Sequence, residues 1–342
     1  MKKILVMMMA VTALVGCSKD DQKNEDPIGS NKEIMVGATT LSVDAISRAP
    51  INTIPEEGLL ARVPVSNKDG VYKSEWQENE GYMKFMKANT ITRFTDASGA
   101  TETPKFYPTS DESIYLCGLY PANNWEIDES EGMTATYTFT GKEDVMAAPQ
   151  VTTSKADAPN NFKTLNFAHL LTQLRIQFKA VSETAAEAWG NITKLELLDK
   201  EGAAITNQVT VNLKEGTATF EKGTEILTFY QMTGKDKGND TPYAATGMTT
   251  DAVYKAYILC PSVTADGTEK AAEYQLKITS AGGATETVNI SLKNTNSSEY
   301  NGYTAGKAFD IILSFQATEI KAMATITPWT DMGTTEVPVG GE

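Results

Sequence analysis

Residues 171–181 read LTQLRIQFKAV. Leu174, Ile176, Phe178 and Ala180 alternate with Gln173, Arg175, Gln177 and Lys179. That period of two lays one face of a strand on a core; a helix would scatter both sets around its axis. The same texture runs outward in both directions. Upstream lie TLSVDAI (40–46), SIYLCGLY (113–120) and TATYTFT (134–140). Downstream come ITKLELLD (192–199), VTVNL (209–213), TATFEK (217–222), VYKAYILC (253–260), EYQLKITS (273–280), ETVNISL (286–292), AFDIILSF (308–315) and IKAMATI (320–326). Each is short, rich in β-branched or aromatic residues, and bounded by Gly, Asn, Asp or Pro. Only VSETAAEAWG (181–190) suits a helix, and a short one. So many short strands predict an all-β chain of β-sandwiches.

Two sandwiches in tandem fit better than one. IYLCGLYPANNW (114–125) and YKAYILCPSVTADG (254–267) each hold a strand, a Cys, a proline turn and a polar loop, as corresponding strands of related units would. Between them MAAPQVTTSKADAPNNFKT (146–164) has little apolar alternation and reads as a junction. The expected division is an N-terminal sandwich over 33–164 and a C-terminal one over 165–342.

The first residues read as an export signal. Lys2 and Lys3 precede an apolar run too short to cross a bilayer, which takes roughly 20 residues. Leu14-Val15-Gly16-Cys17 resembles a lipobox, which predicts a signal peptide over 1–16 and a lipid on the Cys17 thiol. At about 0.8 kcal/mol per buried methylene, two or three acyl chains anchor a protein almost irreversibly. The polar stretch 17–32 then serves as a tether, and Ser18-Lys19-Asp20-Asp21 is similar to the acidic export tag of Bacteroidetes surface lipoproteins.

The chain carries a formal net charge of −14, and the signal holds two lysines and no acid, so its removal leaves the remainder more acidic still. That charge speaks against nucleic acid as a partner. His169 is the only histidine, and its neighbours in NFAHLLTQL are apolar, so it reads as a packed residue. No His-based metal site or catalytic triad follows. NKDG (67–70), TDASG (95–99) and DKGND (236–240) carry calcium-ligand types, but turns need the same residues. GYTAGKAF (302–309) lacks the spacing of a phosphate loop. No enzyme, cofactor or metal is expected. Cys117 and Cys260 sit in apolar strands far apart and read as buried free thiols. Trp76, Trp125, Trp189 and Trp329 fill seams or, if exposed, stack on sugars; Trp76 and Trp125 have polar neighbours.

Several segments in order resemble the Bacteroidetes fimbrillin-like proteins, subunits of type V pili. They are YPANNW (120–125), DVMAAP (144–149), LNFAHLLTQLRIQFKA (165–180), YTAGKAFDIILSF (303–315) and ATITPWTD (324–331). The resemblance implies two transthyretin-like β-sandwich domains and a pilus subunit acting as stalk, tip or anchor. It further implies a surface lipoprotein precursor, attached to the outer membrane by its lipid, from which an Arg-specific protease releases the first strand. A strand from another subunit then fills the groove. Arg48-Ala49 in DAISRAP stands where such a cut belongs, with Arg62 a second candidate. The exchangeable strand would bury Leu41, Val43 and Ile46, at roughly 4–9 kcal/mol in all, close to a domain's whole stability of about 5–15 kcal/mol. Candidate donors are Thr335, Val337 and Val339 in TTEVPVGGE, or Ile320, Ala322, Ala324 and Ile326. The alternative is a surface glycan-binding lipoprotein serving polysaccharide uptake; a host protein or glycan is a further candidate partner.

Overall fold

The computed structural model describes residues 32–40, 54–72, 81–87, 91–128, 130–158, 161–205, 207–221, 226–235, 238–262, 272–292, 305–316 and 320–326. Within them the chain is nearly all strand. The first strands are β1 (Gly37–Thr40), β2 (Leu59–Arg62), β3 (Val65–Ser66), β4 (Tyr82–Phe85), β5 (Phe94–Thr95), β6 (Ile114–Tyr120) and β7 (Trp125–Ile127). There follow β8 (Thr134–Thr138), β9 (Met146–Thr153), β10 (Thr164–His169), β11 (Leu171–Ala180), the helix α1 (Glu183–Trp189), β12 (Ile192–Asp199), β13 (Gln208–Asn212) and β14 (Ala218–Glu221). The last are β15 (Tyr230–Met232), β16 (Gly238–Pro242), β17 (Val253–Pro261), β18 (Ala272–Ser280), β19 (Thr285–Leu292), β20 (Ala308–Phe315) and β21 (Ile320–Ile326).

These strands form four sheets. The first runs β1-β10-β9-β6-β2-β4-β5, with β3 also paired to β6. The second runs β16-β15-β17-β11-β20-β21, the third β12-β18-β19 and the fourth β14-β13-β8-β7. In the second, β11 lies antiparallel to β17 (Leu174↔Ile258) and parallel to β20 (Leu174↔Phe309). Its alternation is real, yet its polar row is covered too: Gln173, Arg175 and Gln177 are all buried. Arg175 Nε meets Asp310 Oδ1 at 2.6 Å, across the register pair that joins β11 to β20. A buried cation is thus matched by a carboxylate one strand away.

Apolar side chains gather in two large clusters and a small third one of Tyr230, Met232 and Tyr257. One of the large two holds Ile34, Val36, Leu59, Phe85, Leu116 and Phe167 among others. The larger runs from Tyr72 to Phe315 and includes Cys117, Leu119, Tyr137, Val209, Leu174 and Ile258. β6 serves both, which is why SIYLCGLY reads as a continuous apolar run. At Gly118 an added Cβ would lie 2.5 Å from the Phe167 ring, so only glycine allows that ring so close. The 146–164 stretch expected as a junction instead opens with β9, between β10 and β6. Met146 and Ala148 go to one cluster and Ala147 to the other, so small residues buried on both faces leave no alternation to read. Leu165 falls inside β10 of the first sheet, and the chain crosses to the second at Leu170. The fourth sheet takes β7 and β8 from before that crossing and β13 and β14 from after it. α1 forms where expected: the Ser182 hydroxyl accepts from the Ala185 amide at 3.1 Å, and Gly190 ends the helix at φ 59°.

Candidate strand-exchange groove

Residues 32–40 lie along the edge of the first sheet and are held from two sides. On one side the chain runs antiparallel to a distant segment, with bridges Glu33↔Phe106 and Val36↔Thr92. The Ile34 amide donates to the Lys105 carbonyl at 2.8 Å, and the Tyr107 amide donates to the Lys32 carbonyl at 2.9 Å. Val36 and Thr92 exchange both bonds, at 3.2 and 2.9 Å. At Gly37 the chain passes to the other side, where its amide donates to the Lys163 carbonyl at 2.9 Å. β1 then pairs parallel with β10, Gly37↔Thr164 to Thr40↔Phe167.

Ile34 and Val36 are 0% exposed and pack in the cluster with Leu165 and Phe167. Each such side chain contributes about 1.5–3 kcal/mol on burial. Polar contacts fix the segment's position: Lys32 Nζ donates to the Ala158 carbonyl at 3.1 Å. Glu33 meets Arg93 at 3.4 Å, and Arg93 also meets Glu102 at 3.1 Å. Chemically this is a slot of backbone partners over two apolar pockets, with one guanidinium at its mouth.

The expected exchangeable residues Leu41, Val43 and Ile46 lie outside the described residues, as do Cys17, Arg48, Ala49, Thr335, Val337 and Val339. In the described part of the front segment, residues 32–40, the buried aliphatics are Ile34 and Val36. Their signal was EIMVG, two β-branched residues at period two. The other candidate donor, Ile320–Ile326, is β21, paired antiparallel to β20 at the edge of the second sheet. Arg62 ends β2, with Nη1 donating to the Trp125 carbonyl at 2.7 Å.

Other singled-out residues are packed. Trp125 is 4% exposed despite its polar neighbours, rests against Tyr137 and donates Nε1–H to the Pro121 carbonyl, so it offers no sugar platform. Trp189 is half-buried against Phe315 and bonds the Gln316 carbonyl; Trp76 and Trp329 lie outside the described residues. His169 is buried, as its neighbours implied, with Nδ1 3.0 Å from Asp144 Oδ1. Cys117 and Cys260 are buried free thiols, and burial pushes each up to about 12. The NKDG and TDASG carboxylates hold turns and neighbours: Asp69 pairs with Lys214 and Gln150, and Asp96 accepts the Ser98 and Ala100 amides. No cluster of three potential metal ligands occurs among the described residues.

Known proteins meet the chain at the level of family and fold. A model of the fimbrillin-like family matches residues 65–329, beginning after the groove-filling segment. The chain is similar to the crystal structure of a candidate cell adhesion protein from Bacteroides uniformis, at 15% identity and TM-score 0.52, over 87% of this chain and 99% of that one. A second such protein, from Bacteroides ovatus, matches at 13% identity and TM-score 0.51, over 89% and 100%. At these identities the likeness is one of fold. No match is found among curated proteins. With more than half its length matched by the family model, the chain belongs to the fimbrillin-like family, whose pilus- or adhesin-type proteins work at the cell surface.

Proposed function

We propose that the chain is a structural subunit of a type V pilus, exported as a lipoprotein on Cys17 and assembled by exchange of its first strand. The observation that carries this reading is the edge segment 32–40, which closes an apolar groove with Ile34 and Val36 and is bonded on both sides by backbone. Its departure would leave unpaired edges above empty pockets, the condition under which a donated strand adds by β-augmentation. Cleavage after Arg48 releases that segment together with its lipid. Arginine usage is in keeping with this: of the chain's four arginines, Arg62, Arg93 and Arg175 are held in sheets or ion pairs. The groove is refilled by a segment of another subunit, with Thr335, Val337 and Val339 or β21 as the candidate donors. Two β-sandwich halves belong to the same proposal, with the two large hydrophobic clusters as their cores, the larger one drawing on strands from both sides of Leu165.

Mass measurement on assembled surface material tests the scheme. It predicts an N-terminus at Ala49, and a lipidated monomer that no longer assembles when Arg48→Ala is introduced. Polymer of unchanged mass and amount from that variant overturns the cleavage site.

A further inference from the structure

The segment that fills the groove reads Glu33-Ile34-Met35-Val36-Gly37, and residues 336–340 read Glu336-Val337-Pro338-Val339-Gly340. Nowhere else does the chain repeat Glu, a β-branched aliphatic, any residue, Val and Gly in that order. Every position has a reason in the groove. Ile34 and Val36 fill its pockets, and Val337 and Val339 have the same branching. Gly37 is buried where the strand passes from one side of the groove to the other, and Gly340 keeps that place without a side chain. The middle residue is the informative one. The amides of Ile34, Val36 and Gly37 donate to Lys105, Thr92 and Lys163, whereas that of Met35 makes no hydrogen bond among the described residues. Pro338, which has no amide hydrogen, therefore falls at the place where none is needed. Glu33 is met by Arg93, whose side chain is 47% exposed and keeps Glu102 as its second partner.

We propose that Arg93 sets the register of the incoming strand by pairing with an acid at the place of Glu33, and that residues 336–340 of a second copy of this chain meet that rule. The inference rests on the strand-exchange reading above and adds to it the register and the selecting residue. A strand carrying Lys at this place meets a cation and is disfavoured. A strand slipped by one residue puts proline on a bonding amide and turns its valines out of the pockets.

The test uses the full chain on the cell surface, read as the ladder of assembled subunits. Glu336→Lys is combined with the native groove or with a charge-reversed one carrying Glu33→Lys, Arg93→Glu and Glu102→Lys, which keeps the precursor's own pairs with opposite signs. Circular dichroism and thermal melting confirm that the reversed groove folds. In the native groove Glu336→Lys is expected to lower assembly about tenfold, the size set by losing an exposed pair and adding a repulsion. The reversed groove should prefer Glu336→Lys over the native residue by a similar factor. Val337→Pro should abolish assembly by removing the amide that meets Lys105. Equal ladders in all four charge combinations, from chains whose new N-terminus is Ala49, overturn the role of Arg93 and leave strand exchange standing. A ladder absent from the native chain itself overturns both.

Discussion

Replacing Ile34 with Ala truncates a fully buried side chain at Cβ and leaves every backbone bond of the edge segment in place. Such truncations cost about 2–5 kcal/mol in a closed core. The edge can settle over the void, so the lower half of that range, about 2–3 kcal/mol, applies here. If the segment opens as its own unit, the whole loss falls on that local opening. At roughly 1.4 kcal/mol per factor of ten, the population of open groove rises about 30- to 150-fold. Two amides report it directly, because Thr92 donates to Val36 and Tyr107 donates to Lys32, each at 2.9 Å. Hydrogen exchange of the full chain should therefore speed up about 30- to 150-fold at Thr92 and Tyr107, with β11 unchanged. Unaltered protection at both amides would show that Ile34 does not hold the segment. An equal loss across β11 would show that the segment cannot open without the rest, and strand exchange would lose its physical basis.

Other outcomes follow from the second sheet and the buried thiols. Asp310→Ala leaves Arg175 without its carboxylate inside the sheet and should destabilise the chain by about 3–5 kcal/mol, measured by urea unfolding. Cys117 and Cys260 should resist a thiol reagent in the folded chain and react once it is unfolded, because burial holds both near 12 against an ordinary value of 9.0. Their folded pKa values lie above the unfolded ones, so the stability they contribute is complete below about pH 9 and is lost as pH rises toward about 12. Unfolding midpoints between pH 8 and 11 measure this. A Cys117→Ser, Cys260→Ser chain with the same midpoint slope would refute the attribution.

Local pattern was enough to read most long strands. β8, β11, β12, β17, β18, β19 and β20 were legible because each carries alternating or continuous apolar residues between turn formers, and both properties lie within a few neighbours along the chain. α1 was legible for the same kind of reason, a Ser cap and a terminal Gly. β9 was not, since Met146-Ala147-Ala148-Pro149 has neither alternation nor bulk, and only the two clusters on either side of it make it a strand. Trp125 misled in the opposite sense: polar loop neighbours hid a side chain that the fold turns inward.

The candidate groove divides along the same line. From the sequence alone came the all-β class, the resemblance to a strand-exchanging family, and the expectation that a front strand closes the first sheet. Which residues close it was a matter of tertiary structure. Ile34 and Val36 become a plug only because Thr92, Lys105, Tyr107 and Lys163, all far along the chain, are brought to both sides of them. Period and composition describe what a segment can bury, and act over a few residues. Partners for an edge are chosen by the closure of the whole sheet, which no local pattern records.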